Sequence, residues 1–162
     1  MTVQEYNQCV ELYADRVYRF IMKNMKHEED ARDVVQNAFM ILWKNYTGVS
    51  FEKSRSYLFT VAYHNMIDQF RKKKFGGEIS EEQEEQVQGS SYQYTGAREA
   101  LEMALKKLPD IQKQVVMLRD YEGYSYEEIG EITGLNEPQV KVYIFRARTA
   151  LKNYLVRVEN AI

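Results

Sequence analysis

One cysteine, two histidines and two prolines among 162 residues close off several kinds of protein at once. A lone Cys9 cannot build a disulfide framework, and Cys9 with His27 and His64 makes no metal-ligand cluster, so neither metal nor cofactor is expected. Cys9 reads as a small core residue and the histidines as surface or packing residues. There is no apolar run long enough to cross a bilayer and no secretory leader, so a soluble, cytoplasmic protein without direct membrane insertion is expected. A Gly-rich phosphate loop and a nucleophile, base and acid at recognisable spacing are both missing, and the chain is not expected to be an enzyme.

Sustained period-two alternation is absent as well, whereas helical periodicity is present on both sides of a central break. Pro109 and Pro138 both fall where a helix can start. The expected fold is therefore all-α, with two small helical domains. Residues 1–74 form an N-terminal helical bundle with helices near 3–25, 28–45 and 54–74. Residues 97–162 form a four-helix domain with helices near 97–107, 110–121, 126–133 and 137–158. Each is small enough to have a marginal core by itself.

A net charge of −2 looks unsuited to nucleic acid until it is divided along the chain. Residues 1–74 hold 12 Lys/Arg against 9 Asp/Glu, and residues 97–162 hold 10 of each. Residues 75–96 hold 5 glutamates and no basic residue. That middle stretch, with Gly76-Gly77, Glu81-Glu82-Gln83-Glu84-Glu85 and Gly89-Ser90-Ser91, has little to bury against the entropy of ordering it. It reads as an acidic flexible linker, either a solvated tether or an acidic strap for a basic channel on a partner. Affinity for nucleic acid depends on where cations cluster rather than on the total.

The segment Ser125 to Lys141 reads as helix, tight turn, helix. Ile129, Ile132, Leu135, Val140 and Ile144 can share one small core, and Gly134 stands where the first helix must stop. Asn136 can cap the next helix with Gln139 as its reciprocal partner. This is the helix-turn-helix geometry that lays a second helix in the DNA major groove. On that helix Val140, Ile144, Ala147, Leu151 and Leu155 form a core stripe, while Glu137, Pro138, Gln139, Lys141, Val142, Phe145, Arg146 and Arg148 are the candidate DNA-contacting residues. A merely solvated face would rarely carry Val142 and Phe145, but apolar atoms suit thymine methyls.

Two more helices have a face left over after packing. Between Asp30 and Lys44, Ala31, Val34, Val35, Ala38, Ile41 and Leu42 turn inward, flanked by Phe39 and Trp43. Asp33, Gln36, Asn37, Met40 and Lys44 turn outward, either to solvent or to a protein partner, for which Met40 is a hint. From Ser54 to Lys74 the buried stripe is Leu58, Phe59, Ala62, Met66 and Phe70. The other face holds Tyr57, Val61, His64, Asn65, Asp68, Arg71 and Lys72, with Tyr46 and Phe51 in or beside the preceding loop, residues 46–53. It is either an amphipathic helix with a basic end or a nucleic-acid surface, because cations hold phosphates, amides read base edges and aromatics stack unpaired bases.

In the same order, both halves resemble the bacterial sigma factors of the extracytoplasmic-function type. Asp30-Ala31-Arg32-Asp33-Val34-Val35-Gln36-Asn37-Ala38-Phe39 through Leu42-Trp43 is similar to that family's core-polymerase-binding helix. Tyr57-Leu58, Ala62, Asn65, Asp68 and Arg71 resemble its melting and downstream-promoter helix. Leu105 to Pro109, Tyr121 to Ile129 and Val140-Lys141 with Arg146-Ala147-Arg148 resemble its upstream-element domain. Tyr57 stands where a tryptophan is usual, Tyr143 where a basic residue is common, and Glu137-Pro138 where small or hydroxylated residues are common.

The resemblance implies a factor without catalysis of its own that directs core RNA polymerase to promoters and assists melting. It implies polymerase contacts from Asp33, Gln36, Asn37, Met40 and Lys44 to the largest-subunit clamp, with further contact to the flap region. Phe51, Tyr57, His64, Asn65, Asp68, Arg71 and Lys72 would serve the downstream element and melting, and the linker would thread the polymerase channels. Core RNA polymerase, promoter DNA and an anti-sigma factor are the implied partners. A stand-alone helix-turn-helix regulator would leave residues 1–74 unexplained, and a helical polymerase adaptor that does not read DNA would leave the basic, apolar face of 138–149 unexplained.

Overall fold

In the computed structural model, residues 1–75 and 96–160 are described, and among them there are helices and turns but no strand. The helices are α1 (Val3–Met25), α2 (Glu28–Asn45), α3 (Phe51–Phe75), α4 (Gly96–Lys107), α5 (Asp110–Val116), α6 (Tyr126–Thr133) and α7 (Glu137–Asn160). A 3-10 turn, Tyr46–Gly48, follows α2, and α5 runs on into a π-helical turn, Met117–Tyr121. The expected acidic linker lies, but for its first and last residues, outside the described residues. The chain divides into two compact units, one built on α1–α3 and one on α4, α5, α7 and most of α6.

In the first unit all three helices pack against one another. α1 starts at a capping box, with the Thr2 hydroxyl accepting from the Glu5 N–H and the Glu5 carboxylate accepting from the Thr2 N–H. It ends on Lys26, whose φ of 59° turns the chain sharply into α2. Small residues at the inward positions of α2, Ala31, Val34 and Ala38, are fully buried, so its neighbours can approach closely. Phe20 of α1 and Phe59 of α3 meet edge to face at 5.6 Å between ring centroids.

α3 departs from the sequence expectation at its start, which is Phe51 rather than Ser54. The Lys53 N–H already reaches the Ser50 carbonyl at 3.1 Å. Ser54 is buried, donating to the Phe51 carbonyl at 2.6 Å and accepting from Cys9 Sγ at 3.1 Å, so it locks the first turn to α1 instead of capping it. The loop expected over residues 46–53 is thereby reduced to a 3-10 turn and two residues. Tyr63, given no inward role from periodicity, is buried, and burial pushes its pKa up to about 12. Phe70 and Ile41, expected in the core, are only half-buried, because each lies at the margin of its helix's inward stripe.

In the second unit α7 is the spine against which α4 and α5 pack. Val140, Ile144 and Ala147 are buried as the stripe requires, whereas Leu151 and Leu155 are half-buried. α6 opens with a capping box between Ser125 and Glu128 and closes on Gly134, whose φ is 81° and whose N–H reaches the Gly130 carbonyl at 2.8 Å. Two residues later the Asn136 side chain accepts from the Gln139 N–H at 2.9 Å, and Gln139 Oε1 accepts from the Asn136 N–H at 3.0 Å. The turn expected between two such helices is therefore present, with both of its caps made.

A Cβ at Gly134 would meet no atom within 4 Å, so any cost of adding one comes from the backbone conformation alone. Gly134→Ala is expected to destabilise the second unit by about 1–2 kcal/mol, the cost of a left-handed conformation for an L-residue. Urea titration followed by circular dichroism measures it, and an unchanged midpoint would show that the turn relaxes without cost.

Candidate nucleic-acid interface

In the first unit, the outward face of α2 is as the periodicity placed it. Asp33, Gln36 and Lys44 are exposed, Asn37 is half-buried, and Met40 has 57% of its surface open although Ala38 and Leu42 beside it have none. Trp43, assigned to the flank of the buried side, is 45% exposed. Its indole lies edge-on to Tyr6 and stacks on Tyr46, both at 5.0 Å with an interplanar angle of 14° for the stack. The Tyr6 hydroxyl donates to the Phe39 carbonyl at 3.0 Å, which pins this aromatic group to α2. Tyr46 thus has one ring face covered by Trp43.

The α3 surface begins where α2 ends. Asn45 Nδ2 donates to the Tyr57 hydroxyl at 3.3 Å and to the Ile41 carbonyl at 3.0 Å, which sets the Tyr57 ring against the end of α2. Phe51, in the first turn of α3, Tyr57 and Asn65 are half-buried, while His64, Asp68, Arg71 and Lys72 are exposed. Val61, placed on this outward side, is half-buried as well. Lys73 closes on Asp30 at 2.6 Å and so ties the basic end of α3 to the first turn of α2. With side chains 47% and 26% exposed, such a pair contributes at most about 1 kcal/mol.

In the second unit the outward side of α7 combines charge with apolar surface. Phe145 is 72% exposed and Val142 44%, and Glu137, Pro138, Gln139, Lys141, Arg146 and Arg148 are exposed around them. Several of the expected DNA-contacting residues are already engaged within the unit. The carbonyl of Gln139 is held in the cap of α7. Arg148 forms a bidentate fork with Asp120 in the π-helical turn, with Nε to Oδ2 at 3.1 Å and Nη2 to Oδ1. The Asp120 hydrogen bond is the main reason the Arg148 pKa is raised, with the Asp120 charge and Tyr126 adding to it against desolvation.

Tyr126, the first residue of α6, was not singled out from the sequence, yet three cations gather around it. The Arg119 guanidinium lies 4.7 Å and the Lys141 ammonium 5.6 Å from its ring centroid, and Arg148 is the third. Arg119 also donates to the Tyr124 carbonyl at 2.9 Å, and Lys141 meets the Glu137 carboxylate at 3.3 Å. These cations come from the π-helical turn and from α7, so no local pattern announces them. Among the described residues no cluster of His, Cys, Asp or Glu could hold a metal ion, and no helix is long and apolar enough to cross a membrane.

Residues 9–75 match the family model "Sigma-70 region 2" and residues 98–151 match "Sigma-70, region 4". The chain is 30% identical over 157 residues to the ECF RNA polymerase sigma factor SigM of Bacillus subtilis, covering 94% of each. It is 30% identical over 155 residues to the RNA polymerase sigma factor YlaC of the same organism, covering 90% of this chain and 88% of that one. Its fold is similar to that of the sigma factor RpoE of Bartonella quintana, solved with the anti-sigma factor NepR, at a TM-score of 0.78 and 22% identity over 94% of this chain and 98% of that one.

The Arg148–Asp120 fork yields a prediction about charge. Asp120→Asn is expected to leave helicity intact, because a pair this exposed stabilises little. It frees one guanidinium, so affinity for promoter duplex should rise and the logarithmic salt slope should steepen by roughly one phosphate contact. Binding in the presence of core RNA polymerase, measured across a salt series, tests this, and an unchanged slope would show that Arg148 stays committed to its own domain.

Proposed function

This chain belongs to the extracytoplasmic-function sigma factors, and from that membership we propose how its two helical units divide the work. As a sigma factor it is a transcription initiation factor that directs core RNA polymerase to specific promoters. The unit of residues 1–74 holds core polymerase and opens the downstream element, and the unit of residues 97–162 reads the upstream element as duplex. Residues 75–96 join them. Its polymerase partner places this work in the cytoplasm.

Polymerase binding falls to the outward face of α2, with Asp33, Gln36, Asn37, Met40 and Lys44 against the clamp of the largest subunit. Met40 supports this reading, since the internal packing of the unit has no use for a methionine left 57% exposed. The downstream element falls to Phe51, Tyr57, His64, Asn65, Asp68, Arg71 and Lys72. Stacking an unpaired base contributes roughly 1–3 kcal/mol, comparable to the few kcal/mol that unstacking one step costs. Melting therefore needs no ATP once polymerase supplies the rest of the grip.

The observation that carries the upstream assignment is the outward side of α7, where Phe145 and Val142 are exposed between Lys141 and Arg146. Apolar groups there suit thymine methyls and cations suit phosphates. Because the similar RpoE chain was solved with the anti-sigma factor NepR, an anti-sigma factor is the proposed regulatory partner here too. A gel shift separates these roles from the alternatives. A sigma factor shifts promoter DNA only with core enzyme, a stand-alone regulator does so alone, and an adaptor in neither case.

Two sets of substitutions test the division of work. Asn37→Arg and Met40→Glu should each weaken association with core enzyme at least several-fold, with circular dichroism unchanged. Unaltered core affinity in both variants rules out the α2 face. Tyr57→Ala and Asn65→Ala should leave closed-complex formation largely intact while lowering permanganate reactivity of unpaired thymines, and a pre-melted template should partly rescue Tyr57→Ala. Normal reactivity in both would return these residues to a purely structural role.

A further inference from the structure

We propose that Glu137 and Lys141 together read one G·C pair of the upstream element, with Tyr126 as the positioning residue that keeps Lys141 in line. This rests on the assignment of α7 to the major groove. A groove-inserted helix makes its base contacts from its N-terminal end. At that end of α7 the obvious amide reader is occupied. Adenine recognition uses both halves of a side-chain amide, and the Gln139 carbonyl is spent on the Asn136 N–H at 3.0 Å. Glu137 and Lys141 lie one turn apart at the same end, each 55% exposed, with Nζ and Oε1 3.3 Å apart.

That spacing fits a base-pair edge. In the major groove a G·C pair presents two neighbouring acceptors, guanine N7 and O6, followed by the cytosine N4 amino donor. O6 and N4 are joined by a base-pair hydrogen bond and so stand about 2.9 Å apart. An ammonium and a carboxylate 3.3 Å apart can meet these groups side by side. The ammonium donates to N7 and O6 while the carboxylate accepts from N4. An A·T edge alternates acceptor, donor and acceptor and ends in a methyl group, so it offers the ammonium no two neighbouring acceptors. The asymmetry of the edge also distinguishes G·C from C·G.

The ion pair is exposed, and an (i, i+4) pair of this kind contributes little to the free protein, so turning it toward a base edge costs little. Tyr126 limits where Lys141 can go. Its ring stands 5.6 Å from the ammonium, and the Ser125–Glu128 capping box fixes the helix start that carries it. The Glu137 carboxylate also faces the phosphate field of DNA, which penalises any sequence that offers it no amino donor beside the acceptors taken by Lys141.

Promoter-library selection with reconstituted holoenzyme tests the proposal, using wild type, Glu137→Ala, Lys141→Ala, their double variant, Tyr126→Leu, Tyr126→Phe and Phe145→Ala. Wild type is expected to select G·C at one upstream position. Glu137→Ala and Lys141→Ala should each lose roughly tenfold discrimination at that same position, the size of one good base contact. The double variant should lose no more there than the singles. Glu137→Ala should bind mismatched promoters more tightly than wild type, which loss of a merely structural residue would not produce. Tyr126→Leu should lose part of the discrimination, and Tyr126→Phe, which keeps the ring, should retain it. If the Glu137 and Lys141 variants change affinity for all sequences alike, or act at different positions, while Phe145→Ala still alters upstream preference, the joint reading is overturned. If Phe145→Ala also leaves upstream preference untouched, the placement of α7 in the groove fails and the joint reading fails with it.

Discussion

The turn between α6 and α7 is the constraint on which the surface proposed for DNA depends. Gly134 takes a left-handed backbone that ends α6, and the reciprocal bonds of Asn136 and Gln139 fix the residue at which α7 begins. An α-helix advances about 100° per residue, so a start displaced by one residue would rotate the whole of α7 about its axis. Val140, Ile144 and Ala147 would leave the core, and Phe145 and Lys141 would leave the surface. Capping is worth only about 1 kcal/mol. Its larger consequence here is geometric, because it decides which residues of α7 are available for contact.

Charge on that surface is organised by pairing rather than by excess. Lys141 is held by Glu137 and the Tyr126 ring, Arg148 by Asp120, and Arg119 by the Tyr124 carbonyl and the same ring. These contacts are largely exposed, so each is weak enough to be exchanged for a phosphate or a base edge. The cations are thus kept extended and close together without a large barrier to rearrangement. A chain with a net charge of −2 thus keeps Lys141, Arg146 and Arg148 together on one exposed helix.

The first unit separates its two surfaces by a different device. Fully buried Ala31 and Ala38 draw α2 close to its neighbours, which leaves Met40 and Trp43 proud of the surface. Ser54 and Cys9 fix the first turn of α3 to α1, and Asn45 sets the Tyr57 hydroxyl against the end of α2. The outward α2 face and the Tyr57 end of α3 are consequently held by one small core. A shift in that core would move both.

Helix positions, inward stripes and caps were legible in the sequence because each rests on residues three or four apart. The boundaries of α1, α2 and α6 and the start of α7 follow from periodicity, Gly134 and Asn136 in this way, and so do the exposed Met40 and Phe145. What escaped was whatever depends on partners distant along the chain. Ser54 gives no local sign of burial until Cys9, 45 residues away, is placed against it. Arg148 looks like a free cation until Asp120 meets it across 28 residues, and Lys113 is a cation that no local pattern would bury, yet it is 2% exposed. Tyr126 becomes a meeting point for cations only when the π-helical turn, α6 and α7 come together. Local sequence determines secondary structure and amphipathic faces because backbone hydrogen bonds and helical periodicity are short-ranged. Tertiary structure alone decides which exposed charges are paired, since that depends on contacts between segments that the chain brings together only on folding.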